Sequence, residues 1–306
     1  MKKFVIRIVL FLVIASVIDV CVGYCFAFLQ RGAKGGDTLK DNYICRQTKE
    51  DILIFGSSRA IHHYNPIIIQ DSLHLSCYNC GQDGNGIILM FGRYKIISER
   101  YHPKIIIYDV CDGYDLLVGE DNHKYLAYLR PYYNECKSVD SIFWNIDYTE
   151  KYKMFSKMYQ YNSKFIQLLG DYLHPMQDLG FNGFRPYKQT MNYEPKIKND
   201  IRKTTYSYDS LKLTYFKEMI KMAKGKTILI FVASPAYKAT DSRVFAPLKE
   251  ICKQNNVSFL DYYCDPEIST NRMYFQDPSH LNGTGADAFT KKIIPQIRFI
   301  LNSDAF

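Results

Sequence analysis

Five short apolar runs, separated by longer polar or amphipathic stretches, most constrain the fold of this chain. They are rich in Ile, Val and Phe and do not alternate with polar residues, which is typical of strands covered on both faces in a parallel sheet. The runs lie at 51–56, 75–79, 104–109, 227–232 and 257–261, and helix-like segments at 87–100, 206–224, 244–255 and 285–301. Strands that alternate with helices predict a doubly wound α/β fold with a mainly parallel five-stranded sheet.

About ninety residues rich in Tyr, Lys and Asn separate the third run from the helix at 206–224; structureless loops of that length are uncommon in compact domains. The sequence therefore predicts a helical insertion at about 115–205 within an α/β domain at 51–306. We expect it to lie over the carboxyl ends of the strands, where an open α/β sheet binds its ligand.

An apolar stretch at 4–29 is long enough to cross a bilayer as a helix. Lys2, Lys3 and Arg7 lie at its start, which predicts that the N-terminus stays in the cytoplasm and the remainder is exported. Asp19 interrupts the stretch, and a charge there is costly unless it is paired or near an interface.

A cleaved signal peptide with its core at 4–18 is the alternative to a retained anchor. No A-x-A cleavage site follows, and Cys21 lacks the small residues expected before a lipoprotein cysteine. We therefore predict a signal anchor at 1–30, followed by a polar linker at 31–50. The chain is expected to be a single-pass protein of the cytoplasmic membrane, with its domain in the periplasm or at the cell surface.

The cysteines and charges exclude several classes of protein. Cys77 and Cys80 form a lone CxxC among nine cysteines, and no second such pair or His pair completes a zinc site. Neither a metal nor another cofactor is predicted; buried free thiols are expected, with one disulfide left open for an exported domain. The net charge is +8, but no basic run resembles a nucleic-acid-binding arm, so the charge indicates at most a nearby anionic surface or glycan.

Ser57 and Ser58 lie between the first predicted strand and a predicted helix, in the stretch Phe-Gly-Ser-Ser-Arg. A serine there can act as a nucleophile whose own N–H, at the positive end of the helix, helps to bind an oxyanion. The alternatives are a helix cap or a phosphate-binding turn. A nucleotide-binding domain would need more than the single Gly56 at this position.

Asp277 precedes His280 by three residues in a tight turn before the last predicted helix. Such a carboxylate can fix the imidazole tautomer and leave Nε2 free to accept a proton from a serine; the alternative is a structural histidine and a turn-forming aspartate. A glycine-rich stretch from Asn79 to Gly86 follows the second strand and offers backbone N–H groups for an oxyanion, or turn geometry alone.

Together these three segments resemble the SGNH (GDSL-type) hydrolase superfamily over about residues 50–300. The likeness is greatest to its membrane-anchored branch with a G-S-S-R block, whose members assist membrane-bound O-acyltransferases in modifying cell-wall polysaccharides or exopolysaccharides. The resemblance implies a flavodoxin-like SGNH fold, Ser58 as the nucleophile, and Asp277 and His280 as its partners. It also implies that Ser58 and Gly84, in the block from Asn79, donate N–H groups to the oxyanion.

One block departs from the family pattern, because Asp112 stands where an oxyanion-binding Asn is usual. An ionised carboxylate would repel an oxyanion, so Asp112 is protonated, points away, or is replaced by a donor such as Arg59. Arg59, His62 and His63 lie close to Ser58. They are solvated or core-edge residues, or else Arg59 binds an anionic substrate group or the oxyanion, and His62 or His63 is a less favoured candidate for the base. Neither histidine has an adjacent carboxylate that would orient it as a base.

Two functions follow from this resemblance. The first is a serine esterase or O-acyltransferase that acts on acyl esters of an extracytoplasmic glycan, or on an acylated small molecule, through an acyl-serine. The second is a weakly active or inactive partner of a membrane-bound O-acyltransferase, docked through the N-terminal helix, with Asp19 paired to a basic residue in the bilayer.

Overall fold

The computed structural model describes residues 1–119, 121–133, 135–174, 181–195 and 205–303. The chain divides into two compact units. Unit one comprises Met1–Gln47 and Asp121–Asp178, and unit two comprises Thr48–Glu120 and Leu179–Phe306.

The helices of the described residues follow one another along both units. The α-helices are α1 (Lys2–Arg31), α2 (Gly36–Arg46), α3 (Ser58–His63), α4 (Pro66–Leu73), α5 (Ile87–Ser98), α6 (Asp112–Asp115), α7 (Asp140–Ile146), α8 (Glu150–Lys153), α9 (Phe165–Leu173), α10 (Ser210–Ala223), α11 (Ala246–Gln254) and α12 (Gly283–Ser303). Short 3-10 helices lie at Asn122–Tyr128, Arg130–Tyr132, Lys137–Val139, Tyr159–Tyr161, Arg243–Phe245 and Arg272–Tyr274.

Unit two is built on a sheet of five parallel strands. They are β1 (Ile52–Gly56), β2 (Cys77–Asn79), β3 (Ile105–Asp109), β4 (Ile228–Ala233) and β5 (Ser258–Asp261). Their order is β2-β1-β3-β4-β5, with every neighbouring pair parallel. Apart from Ala233, every strand lies inside one of the five apolar runs, so the predicted parallel five-stranded sheet is confirmed.

Helices cover both faces of this sheet. On one face, alternate strand residues such as Ile54, Ile107 and Val232 belong to a single buried cluster with Phe289 and Ile293 of α12. On the other face, the Tyr108 ring contacts Phe216 of α10, with ring centroids 5.4 Å apart. Because both faces are buried, continuous apolar runs are the expected strand sequences. The predicted helices correspond to α5, α10, α11 and α12.

The chain reverses its winding direction between β1 and β3, because it first moves outward to β2 and then returns past β1. The carboxyl ends of these two strands therefore border the crevice in which open α/β sheets bind ligands. A two-stranded antiparallel ribbon, β6 (Phe275–Asp277) and β7 (His280–Leu281), precedes α12.

Unit one begins with α1, a 30-residue helix whose most apolar window has a mean hydropathy of 2.7. It is long and apolar enough to cross a membrane. The stretch predicted as a polar linker instead contains α2. Gly36, at φ +62, starts this helix beside the Asp171 carboxylate, which accepts a hydrogen bond from the Thr38 N–H at 3.1 Å. These long-range polar contacts explain why a polar stretch is helical here.

The predicted insertion is helical in its first part, since residues 121–133 and 135–174 contain α- and 3-10 helices and no strand. Residues 181–195 belong to unit two, where the Asn182 carbonyl accepts a hydrogen bond from the Asn79 N–H at 2.8 Å. Residues 120, 134, 175–180 and 196–204 of the predicted insertion lie outside the described residues.

Candidate active site

Ser58 begins α3 directly after the carboxyl end of β1. The turn requires Gly56, which has φ +136 and where a Cβ would overlap the carbonyl oxygen of Asp109. Ser57 is fully buried, whereas Ser58 is partly exposed. The turn therefore presents the second serine, and not the first, at the edge of the sheet.

The Ser58 hydroxyl lies within hydrogen-bond distance of a histidine 222 positions away. Its Oγ is 2.8 Å from Nε2 of His280. On the other side of the ring, Nδ1 of His280 is 2.9 Å from Oδ2 of Asp277. With Nδ1–H donating to the carboxylate, Nε2 accepts the serine proton, which is the arrangement of a nucleophile, base and orienting acid.

The Asp277 side chain holds its own turn as well as the imidazole. Its Oδ1 accepts hydrogen bonds from the N–H groups of Ser279 and His280 at 2.8 and 3.0 Å. Burial alone would raise the pKa of Asp277, but the hydrogen bonds from the His280 ring and the Ser279 N–H hold it below its ordinary value. The carboxylate is therefore ionised near neutral pH and able to stabilise an imidazolium.

His63 fixes the His280 turn from inside the domain, a role that the sequence did not suggest. Its Nε2 accepts a hydrogen bond from the Leu281 N–H at 2.9 Å, so Nδ1–H must donate to Ser234 Oγ, also at 2.9 Å. Ser234 in turn donates to Asp109 at 2.7 Å. Burial lowers the pKa of His63 well below its ordinary value. Both ring nitrogens are occupied, so His63 positions the site and does not act as its base.

Asp109 lies at the far end of this series of hydrogen bonds, and its ionisation makes the stability of the fold depend on pH. Burial raises its pKa to about 7, although Arg59 and Ser234 act in the opposite direction. Between about pH 4 and pH 7 the folded protein therefore holds a proton that the unfolded chain has released. The contribution of Asp109 to stability must fall as pH rises through that window.

We expect the stability advantage of the wild type over Asp109→Asn to shrink by about 1.4 kcal/mol per pH unit between pH 5 and pH 7. Other titrating groups are shared by the two proteins and cancel in the difference. Urea denaturation of the detergent-solubilised chain, followed by circular dichroism at several pH values, measures this slope. A difference that stays constant with pH would show that Asp109 is already ionised.

His62 links the site to the segment at residues 181–195 of unit two. Its ring stacks on Tyr187, with centroids 3.9 Å apart, and its Nδ1 is hydrogen-bonded to the Arg185 carbonyl oxygen. Its Nε2 lies 3.3 Å from the Asp83 carboxylate. Tyr187 also contacts the His280 ring edge-on, at 5.7 Å between centroids. His62 thus packs between the glycine-rich loop and the catalytic candidate His280.

Asn79 anchors the glycine-rich loop to the end of α3. The fully buried side chain donates to the carbonyl oxygens of Ala60 and Tyr64 at 2.6 and 3.2 Å. It accepts a hydrogen bond from the Gly81 N–H at 3.1 Å. Asn79 is therefore a positioning residue that joins the loop from Asn79 to Gly84 to the Ser58 helix.

Arg93, which the sequence did not single out, holds the same loop from the opposite side. Its fully buried guanidinium donates to the Cys80 carbonyl at 2.7 Å and to the Gln82 side chain at 3.1 Å. Gly84 follows, with φ +64, and a Cβ there would have no neighbour within 4 Å. The loop is thus fixed at its base and open at Gly84, whose role as an oxyanion donor remains a prediction.

Asp112, which begins α6, lies in the electrostatic neighbourhood of Arg59. The Arg59 guanidinium is buried, and its Cζ lies 5.3 Å from the centre of the Tyr263 ring. Burial would lower the pKa of Arg59, but four neighbouring acidic groups raise it above its ordinary value: Cys111, Tyr263, Asp109 and Asp112. Nη1 of Arg59 has no hydrogen-bond partner in the described part of the chain. A buried charged donor therefore interacts electrostatically with the Asp112 carboxylate.

Among the described residues, one group of three potential metal ligands comes together: His123, Asp147 and Glu150 of unit one. Lys153 Nζ is bonded to Asp147 at 2.8 Å and to Glu150 at 3.0 Å, and Tyr159 donates to Glu150 at 2.7 Å. These donors make the group an ion-pair cluster. All nine cysteines lie in the described residues and are free thiols, including the buried Cys77 and Cys80.

No family model matches this chain, and no curated protein matches it either. The function is therefore inferred from the geometry of the site and the sequence blocks that form it.

Proposed function

We propose that this chain is an SGNH-type serine esterase or O-acyltransferase that acts on acyl esters of an extracytoplasmic glycan. The observation that carries the proposal is the hydrogen-bonded series from Ser58 Oγ through the His280 ring to Asp277. The strand order 2-1-3-4-5, with Ser58 at the carboxyl end of β1, supports a flavodoxin-like SGNH fold.

In the proposed reaction, Ser58 Oγ attacks the acyl carbonyl carbon and passes its proton to His280 Nε2. Asp277 stabilises the imidazolium that results. The tetrahedral intermediate then expels the alcohol, which takes the proton from Nε2, and the acyl group remains on Ser58. Water or a sugar hydroxyl next gives its proton to Nε2 and attacks the acyl-serine carbonyl carbon. The second tetrahedral intermediate then breaks its bond to Ser58 Oγ, which takes the proton back from Nε2, and the product is released.

The second candidate function is a weakly active partner of a membrane-bound O-acyltransferase. Asp112 favours it, because a carboxylate at the oxyanion site opposes the developing negative charge. The unpartnered Nη1 of Arg59 favours the enzyme, because a buried cation nearby can offset that charge. We propose that Arg59 performs this role.

Reaction with a fluorophosphonate probe tests the enzyme proposal. The detergent-solubilised full chain should be labelled, and mass spectrometry should locate the adduct on the peptide that contains Ser58. Turnover of p-nitrophenyl acetate, with and without a glycan acceptor, then distinguishes hydrolysis from transfer. Co-purification with a membrane acyltransferase that depends on α1, with no labelling of Ser58, would support the partner function instead.

Asp112→Asn should raise ester turnover by about 10- to 100-fold, because it removes a negative charge and supplies an amide donor for the oxyanion. The measurement is kcat/KM on p-nitrophenyl acetate. Asp112→Ala is the matched control, since it removes the charge without adding a donor and should give a smaller gain. Lower turnover in Asp112→Asn would show that the carboxylate itself is needed, for example to hold Arg59.

The N-terminal residues support an exported domain. Lys2, Lys3 and Arg7 lie at the start of α1, so we propose that the N-terminus is cytoplasmic, that α1 crosses the membrane, and that the chain after α1 lies on the extracytoplasmic side. No residue of the site requires a cofactor in this reaction.

A further inference from the structure

The outward side of α9 is apolar, which is the reverse of a helix that faces water. Its exposed residues are Phe165, Ile166, Leu169 and Leu173, with exposed fractions of 53, 74, 49 and 56%. Its two buried residues are Leu168 and a carboxylate, Asp171. A surface helix in water carries its charged residues outward and its apolar stripe inward. We call these four exposed residues the α9 face.

A buried ion pair also lies next to this helix. Lys164, just before α9, forms an ion pair with Asp41 of α2 at 3.3 Å, and both side chains are almost fully buried. Phe155, by contrast, lies in the same unit with 80% of its surface exposed. Exposed apolar surface of this kind marks contact with a membrane or another protein.

Unit one itself supplies hydrogen-bond partners for Asp19, in the middle of α1. The Asp19 carboxylate accepts hydrogen bonds from Ser156 Oγ and from the N–H groups of Lys157 and Met158, the latter two at 2.7 and 3.2 Å. A Cβ at Gly23 would lie 2.7 Å from the Lys157 carbonyl carbon. Residues 156–158 are thus fixed against α1 between Asp19 and Gly23, and Asp19 needs no basic partner from another protein.

The apolar part of α1 before Asp19 is too short to cross a bilayer alone. Residues 4–18 rise about 22 Å as a helix, whereas the hydrocarbon core is about 30 Å thick. The missing length corresponds to about five further residues, which brings the hydrocarbon boundary close to Gly23. That is the level at which residues 156–158 contact α1.

The α9 face begins only slightly beyond this level. Phe165 contacts Phe26 of α1, with ring centroids 6.5 Å apart. On α1, Val20, Tyr24 and Phe28 form an exposed stripe at a spacing of four residues, with exposed fractions of 43, 66 and 64%. Lipid that surrounds α1 at this height also reaches Phe165.

We propose that Phe155 and the first turn of the α9 face, Phe165 and Ile166, lie at the membrane boundary of the leaflet from which α1 emerges, in contact with lipid acyl chains. This inference rests on the proposed membrane anchoring by α1. If the membrane extends past Asp19 to the level of Gly23, α1 is long enough to cross it. Contact with lipid then explains why α9 has apolar side chains on its exposed side. Unit one is then a membrane-embedded unit and not a soluble domain on a tether.

Tryptophan fluorescence tests this placement, because Trp144 is the single tryptophan of the chain. In a Trp144→Phe background, Ile166→Trp and Phe155→Trp each place one reporter on the proposed surface, and Leu12→Trp places one in the proposed span. The full chains are reconstituted in phosphatidylcholine vesicles with and without brominated acyl chains. Circular dichroism and thermal unfolding establish that each variant is folded.

We expect blue-shifted emission at residues 155 and 166, with loss of fluorescence in brominated lipid and little quenching by iodide. Quenching at residue 12 alone would overturn the inference and leave the anchoring intact, whereas no quenching at any position would overturn both. Protection of residues 155 and 166 from iodide without quenching by brominated lipid would also overturn it, because the surface would then be covered by protein.

Discussion

Ser58→Ala is expected to abolish labelling by a fluorophosphonate and to lower ester turnover by at least about 10³-fold. Ser57→Ala is expected to retain labelling and most of the turnover. The two substitutions remove the same atom from adjacent residues, so they differ only in where that hydroxyl lies. Ser58 Oγ is 2.8 Å from His280 Nε2, whereas the Ser57 side chain is fully buried.

The comparison is measured as kcat/KM on p-nitrophenyl acetate and as the intensity of the labelled band. Loss of a nucleophile leaves only the binding and oxyanion contributions, which is why the residual rate is not zero. Equal labelling of Ser58→Ala and the wild type would remove Ser58 as the nucleophile. Loss of activity in both variants with lower thermal stability would point to a damaged β1–α3 turn.

Much of unit two could be predicted because its strands and turns are determined by residues that are neighbours in the sequence. Each strand is a run of apolar residues that must be covered on both faces, and Gly56 marks the turn after β1. The Asp277–His280 turn is equally local, since the carboxylate bonds to groups two and three residues away. Sequence reasoning could therefore name Ser58, Asp277 and His280 from two separate segments.

The supports of the site could not be predicted, because their partners are distant in the chain. His63 accepts a hydrogen bond from the N–H of Leu281, 218 positions away. No sequence pattern around His63 indicates that contact. Arg93 lies on α5 among apolar residues and bonds to a carbonyl oxygen of the glycine-rich loop. Unit one is harder still, since α2 and α9 are held by buried polar groups such as Asp41 and Asp171, which a hydropathy pattern assigns to the surface.

The second large effect is expected for Asp277→Asn, which should lower kcat by about 10³- to 10⁴-fold while the fold remains stable. In the wild type, Oδ1 of Asp277 accepts hydrogen bonds from the backbone N–H groups of Ser279 and His280. Its Oδ2 lies 2.9 Å from His280 Nδ1. An asparagine can keep its oxygen toward the backbone and its amide nitrogen toward the ring. The amide N–H then donates to Nδ1 and places the imidazole proton on Nε2.

With its proton on Nε2, His280 can no longer accept the Ser58 proton, so the site is assembled but in the wrong tautomer. Asp277→Ala is the contrasting variant, because it loses the turn hydrogen bonds as well and should lower both kcat and thermal stability. Unchanged turnover in Asp277→Asn would mean that the carboxylate does not orient the imidazole. A protein that only docks on an acyltransferase would bind its partner equally well with either tautomer of His280. Loss of turnover in Asp277→Asn therefore supports the enzyme, whereas co-purification with an acyltransferase, unchanged by the substitution and without turnover in the wild type, supports the partner function.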